Sequence, residues 1–236
     1  MKSKKITFLP LNQDAELVTE GYVPSKLTVP EWYKKSERFD PNTLKFSDKG
    51  ELINTKLKMC VPFLDALTIG YTQTTWTDIF IENENEKVSF YYSSDPKIID
   101  LRQHVSLPLG EEFYNLEFLW NQYWDIKVPE GYSVLITHPL NRFDLPFVTS
   151  SGVVDSDVYY HTASMGTSVP FYIKKGFTGV IPKGTPMYQV IPFKRENWYS
   201  EKEKYDKASH KKRSSLIVSK FWGAYKDLFW QKKIYE

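Results

Sequence analysis

A mainly β fold built on antiparallel strands is predicted by three features of the chain. Short runs of strand-forming residues recur between residues 56 and 197, glycines and prolines separate them, and the aromatic share reaches 16%. Aromatic and β-branched side chains fit a pleated, half-buried surface. Many short strands with turn residues between them belong to a sandwich or barrel, because a parallel α/β sheet needs long helical crossovers between its strands.

Residues 1–55 read as an irregular N-terminal arm. Gly21, Pro24, Pro30, Pro41 and Gly50 punctuate it, and its apolar residues are scattered. Pro30-Glu31-Trp32-Tyr33-Lys34-Lys35 can open a short helix with Pro30 near its first position. Trp32 and Tyr33 are expected to pin the arm. The β domain follows over 56–197. Trp76–Ile81 and Val88–Tyr92, joined by the polar run Glu82–Glu86, predict a hairpin. Residues 93–115 read as a loop. Short strands are expected at Phe118–Trp120, Trp124–Val128, Tyr132–Thr137, Val169–Ile173 and Met187–Ile191, with turns at Pro129–Gly131 and at Gly176, Gly179 and Gly184.

Residues 198–236 form a basic helical tail. Leu216, Val218, Phe221, Trp222, Tyr225, Leu228 and Phe229 recur near helical spacing, which predicts one amphipathic helix with its bulky face docked on protein. From Glu201 onward ten lysines and arginines face five acids, so the tail carries +5 and the rest of the chain −3 within a net charge of +2.

The small net charge does not point to nucleic acid. No apolar run is long enough to cross a bilayer, and Ile6–Leu11 is too short for a secretion signal. Cys60 is the only cysteine, so no intrachain disulfide can form. Met59, Val61 and Phe63 around it predict a buried, structural thiol. The expected setting is a reducing cytoplasm or a virion assembled there. Phosphate-binding glycine loops, Gly-x-Ser-x-Gly, His-Glu-x-x-His and zinc-type cysteine pairs are all missing from the sequence. His138, Asp144, Asp155, Asp157 and His161 lack the tight spacing of a metal site, and no metal is expected.

Three runs carry a more specific signal. They are Gly131-Tyr132-Ser133-Val134-Leu135-Ile136, Ser151-Gly152-Val153-Val154-Asp155-Ser156-Asp157, and Ile181-Pro182-Lys183-Gly184-Thr185-Pro186-Met187-Tyr188-Gln189-Val190-Ile191. In order and spacing they resemble dUTPases and dCTP deaminases, over about a quarter of the chain. The chain as a whole resembles a family of phage and bacterial proteins with the same core. The resemblance implies a β-clip fold, a homotrimer, and sites at subunit boundaries. It implies that Asp155 orients a water and reads the sugar, and that Gln189 meets phosphate; Arg142 and Tyr159 join them as candidate nucleotide-binding residues. A fixed carboxylate can align or deprotonate a water. The same Asp in a turn can instead hold nearby backbone N–H groups.

The chain departs from the resemblance where phosphate chemistry is concerned. After the Gly-Tyr strand, Pro139-Leu140-Asn141-Arg142 stands where the dUTPase pattern has Pro-Arg-Ser-Ser. Gly70-Tyr71-Thr72-Gln73 lacks the Asp of Gly-Tyr-Asp-Leu, although Asp78 is near, and the tail is lysine-rich where a glycine-rich closing loop is expected. Val158-Tyr159-Tyr160-His161 offers no deaminase glutamate. Phosphate sites need N–H cradles or placed cations. The sequence therefore predicts a divergent, non-catalytic, oligomeric binding or structural component, of a phage particle or its assembly. The alternative is a nucleotide hydrolase acting on a deoxynucleoside triphosphate. No cofactor is expected, with Mg²⁺ entering only under that alternative. The expected partners are further copies of the chain and other phage particle proteins, not membranes or nucleic acid.

Overall fold

The computed structural model describes residues 4–40, 42, 55–84, 87–102, 107–159, 167–218 and 224–236. Among them the chain is mainly β and its sheets are antiparallel. It divides into two compact units. One comprises Met1–Thr28, Thr68–Arg195 and Tyr235; the other comprises Val29–Leu67, Glu196–Ile234 and Glu236.

The first unit holds the strands: β1 (Thr7–Pro10), β2 (Val23–Pro24), β3 (Tyr71–Thr74), β4 (Ile79–Glu84), β5 (Lys87–Tyr91), β6 (Ile99–Arg102), β7 (Glu117–Gln122), β8 (Trp124–Lys127), β9 (Tyr132–Thr137), β10 (Phe147–Thr149), β11 (Gly152–Val154), β12 (Thr167–Ile173), β13 (Gly179–Ile181) and β14 (Pro186–Lys194). A five-stranded sheet runs β11-β9-β14-β3-β2 and a four-stranded sheet runs β10-β12-β7-β6. A three-stranded sheet runs β13-β4-β5, and β1 pairs β8.

The central strands are covered on both faces, so β9 buries Ser133 and Thr137 as well as Val134 and Ile136, and alternation sorts the apolar side chains into the core. On β9, Val134 and Ile136 share one face and are buried, as the period-two pattern predicts, and Val190 of β14 is buried beside Ile136. The four-stranded sheet contributes Phe118, Trp120, Phe147 and Phe171. Trp120 stacks on Phe171 with centroids 3.6 Å apart, and Phe147 meets both edge-on. Such aromatic pairs add to area burial through their quadrupoles. Gly70, at φ 72°, lets β3 approach β14: a Cβ there would lie 2.2 Å from the Val190 carbonyl oxygen.

The hairpin expected around Glu82–Glu86 forms as β4 and β5. The stretch 93–115, expected to be a loop, contains β6, because Ile99 pairs with Trp120 and is fully buried. The N-terminal residues are more regular than expected. Asn12 caps the helix α1 (Gln13–Val18) by accepting the Ala15 N–H at 2.7 Å, and β1 and β2 join sheets.

In the second unit, α2 (Glu31–Lys35) follows Pro30 as its cap. Its Tyr33 is buried and stacks on Phe63 of α3 (Val61–Thr68). Cys60 is exposed, contrary to the expected buried thiol. It joins a 3₁₀ turn (Leu57–Met59) to α3, so no strand alternation turns it inward. The tail differs from the single helix expected at Leu216–Phe229. It forms α4 (Lys207–Val218), with Asp206 accepting from the Ala208 N–H and the Ser209 hydroxyl, and α5 (Ala224–Leu228). Leu228 and Phe229 are exposed, while Phe221 and Trp222 lie outside the described residues. The tail is anchored instead by Trp230, whose indole N–H meets the Asp65 carboxylate at 2.9 Å, and by Lys233 at 2.7 Å from the same carboxylate. No helix among the described residues is long and apolar enough to cross a membrane.

Candidate functional site

The motif around Asp155 is built from three neighbouring segments. Pro129–Tyr132 is a tight turn closed by the Tyr132 N–H on the Pro129 carbonyl, and Gly131 takes the φ of 79° that the turn requires. β9 leaves this turn and pairs with β11 on one side and β14 on the other. After β11 the chain turns sharply: the Asp155 carbonyl accepts the Val158 and Tyr159 N–H groups.

The two aspartates of this turn have opposite roles. The Asp157 side chain is 2% exposed and accepts the Gly131 N–H at 2.9 Å, so this residue, not Asp155, holds the turn through a backbone donor. Arg195, just past β14, forks onto both Asp157 oxygens. The guanidinium, helped by the Gly131 N–H, holds the Asp157 carboxyl down to about 2. Arg195 also donates to Ser133 Oγ and the Tyr132 carbonyl, which ties the end of β14 to the start of β9. The Asp155 side chain is 60% exposed. It accepts the Ser133 hydroxyl at 2.6 Å and lies 3.3 Å from Arg195.

Asp155 opens into a cleft of about 470 Å³, within the size range of small-ligand sites. Its walls are largely aliphatic, from Ile126, Ile136, Val153, Val154, Val158 and Val169. Tyr159, Asp125, Gln122 and Thr167 supply polar groups. Gln122 is itself held: its Oε1 accepts the Thr167 hydroxyl at 2.7 Å, and its Nε2 donates to the Tyr22 hydroxyl and the Trp124 carbonyl. Behind it the Tyr22 and Tyr188 hydroxyls meet at 3.2 Å, and burial pushes both phenols up. Among the described residues, the cleft lining holds two carboxylates and no lysine or arginine.

The other two candidate residues are placed elsewhere. Gln189 is 2% exposed on β14. Its Oε1 accepts the Leu140 N–H at 2.9 Å and its Nε2 donates to the Ile69 carbonyl, so its amide joins two backbone segments. Arg142 forks onto Asp144 at 2.8 and 2.9 Å and reaches the Thr28 carbonyl at 3.4 Å. His138 lies between them: its Nε2 faces the Arg142 carbonyl at 3.1 Å and its Nδ1 the Thr149 N–H at 3.2 Å. With Nδ1 accepting from Thr149, the ring carries its proton on Nε2, and burial lowers its pKa, favouring the neutral form. His161 lies outside the described residues. Asp78 accepts the Lys183 N–H at 2.7 Å, a turn bond. The structure thus brings Asp155 and Tyr159 together in one cleft, while Gln189 and Arg142 do not line it.

Sequence reasoning missed Arg195, Ser133, Asp125 and Val153. Arg195 has a readable signal: two aspartates crowded into one turn attract a nearby cation, and Arg195 directly follows the strand whose last residue, Lys194, pairs with Tyr132. The others depend on strand register, which no local pattern shows. Neither the protein-family models nor the curated proteins contain a match to this chain.

Proposed function

We propose that the protein is a non-catalytic member of the dUTPase-like, β-clip class that works as an oligomeric binding or structural component, in a phage particle or its assembly. One observation carries this reading. The cleft at Asp155 is lined, among the described residues, by two carboxylates and no cation; Arg195, 3.3 Å from Asp155, is forked onto Asp157, while Arg142 and Gln189 are engaged with Asp144 and with backbone groups. Phosphoryl chemistry depends on charges fixed where negative charge develops, and the loss of one such donor costs about 10² to 10³ in rate. A triphosphate in this cleft would face the Asp125 and Asp155 carboxylates. The aliphatic walls suit a neutral apolar group, and the carboxylates at the rim favour a cation over an anion beside it. A homotrimer is the expected assembly, since the antiparallel core and the exposed aromatic residues are in keeping with it.

Two measurements test the reading. Pyrophosphate release from dUTP and the other deoxynucleoside triphosphates, assayed with Mg²⁺, is expected to stay at background. Turnover of about 1 s⁻¹, the low end for enzymes, that is lost in a folded Asp155→Asn variant would make the protein a hydrolase. Light scattering is expected to give about three times 27.7 kDa. A mass of 27.7 kDa at micromolar concentration would refute the trimer.

A further inference from the structure

The path of one strand creates an unusual opening. β10 pairs with β12 from Phe147↔Ile173 to Thr149↔Phe171, and the Ser150 N–H extends this ladder to the Pro170 carbonyl at 2.8 Å. The chain then leaves β12. As β11 it pairs with β9 in the other sheet, Gly152↔Ile136 to Val154↔Val134. β12 continues, paired along its opposite edge with β7 through Thr167↔Gln122. Beyond Ser150 the two strands therefore form a fork. Among the described residues, neither the outer edge of β11 nor the β12 edge over Thr167–Val169 has a ladder partner.

The cleft described above lies in this fork, because Val153, Val154, Thr167, Ser168 and Val169 all line it. Val154 and Ile136 belong to one face of the sheet and Val153 to the other, since side chains alternate along a strand. A cavity touching both faces of β11 runs past its edge, where the backbone groups point. Val153 itself is 64% exposed. Unpaired strand edges are templates for a further extended segment.

We propose that this fork is a docking groove for an extended peptide segment of a partner protein, one that carries an apolar side chain flanked by lysine or arginine. The outer edge of β11 and the Ser168 backbone of β12 offer the segment main-chain hydrogen bonds, and the aliphatic cleft takes its apolar side chain, the mode of strand addition. Charge selects the flanking residues: among the described residues Asp125 and Asp155 line the cleft and no cation does, and Arg195 beside Asp155 is shared with Asp157, so acids outnumber the cation there. An acidic segment would meet two like charges there. The groove also has an exit for a longer ligand. Gln122, Thr167 and Ser168 are shared with a second, polar groove of about 620 Å³ that continues past Asn121, Tyr123 and Asp100 to Arg102, which is paired with Glu117.

The inference rests on the binding-component reading, so its test keeps the two apart. The full chain is titrated into three labelled hexapeptides by fluorescence anisotropy: one alternating valine with lysine, one alternating valine with glutamate, and the first with its valines N-methylated. The lysine peptide is expected to bind at least about tenfold tighter than either control, because like charges and lost main-chain donors oppose binding. Val153→Lys is expected to weaken it about tenfold by placing a cation on the rim, and Asp155→Asn about two- to fivefold, as for a partly exposed charge pair. Both side chains are exposed, and unchanged melting curves confirm that the variants fold. Equal affinity for the three peptides, no binding at all, or binding that ignores Val153→Lys would overturn the groove. Pyrophosphate release in the same preparation would overturn the binding-component reading instead, which keeps the two failures distinct.

Discussion

The Asp155 cleft and the cluster around Gln189 contain the same kinds of group, yet they differ in what surrounds them. At Gln189, His138 and Arg142, backbone carbonyls and N–H groups and one carboxylate meet the side chains within a buried seam. At Asp155, the carboxylate projects from a turn into an aliphatic cleft and stays largely exposed. A polar side chain in a seam replaces missing secondary-structure bonds, and its loss leaves backbone groups unsatisfied. A polar side chain at a cleft rim adds little to the fold and remains available to a ligand. Residue type therefore does not separate structural from functional roles in this chain; the number of backbone partners around each side chain does.

The largest expected effect breaks the seam. Gln189→Leu leaves the Leu140 N–H and the Ile69 carbonyl without their partner and is expected to cost roughly 2–4 kcal/mol, read from urea denaturation. An effect below about 0.5 kcal/mol, the level of a neutral surface change, would show that the seam is not structural. Arg142→Ala removes a forked ion pair whose arginine is mostly buried. It is expected to cost about 1–2 kcal/mol, with Arg142→Lys recovering only part because a lysine cannot fork.

A smaller effect is expected from pH. Burial lowers the pKa of His138 in the fold below its ordinary 6.5. The unfolded chain then binds the proton first, so stability falls as pH drops through and below 6.5. Melting temperatures across the range from neutral to mildly acidic pH should show this slope, and His138→Gln should flatten it. The Asp157–Arg195 pair acts in a more acidic range. Its contribution is present above the ordinary 3.8 of the carboxyl and is lost as pH falls toward about 2. The smallest effect is at the cleft. Asp155→Asn is expected to change stability by no more than about 0.5 kcal/mol while altering ligand binding. A large loss of stability there would erase the contrast between the two regions.

Period-two runs, turn glycines and the hairpin acids are local properties, and they suffice to mark β4, β5, β7, β8, β9, β12 and β14 along the chain. A short strand with mixed patterning leaves no such mark. β6 exists because Ile99 finds Trp120 across the ladder, a contact between residues far apart in sequence. The tail misleads for a related reason. Helical spacing of bulky residues points to burial, but Leu228 and Phe229 face outward and the anchor is Trp230 on Asp65.

Local preferences along the chain are enough for its β character, its turn positions and the placement of Asp155 beside a strand, because backbone preference and side-chain alternation act over a few residues. That Arg195 clamps Asp157, that Gln189 lies in a seam, and that β11 parts from β12 to open a cleft are long-range outcomes of the fold. Each of these depends on strand order and register, which bring together residues distant in sequence, 120 positions apart at Gln189 and Ile69. No local pattern encodes that pairing, since it is set by which partner buries the most apolar surface and satisfies the most backbone groups at once.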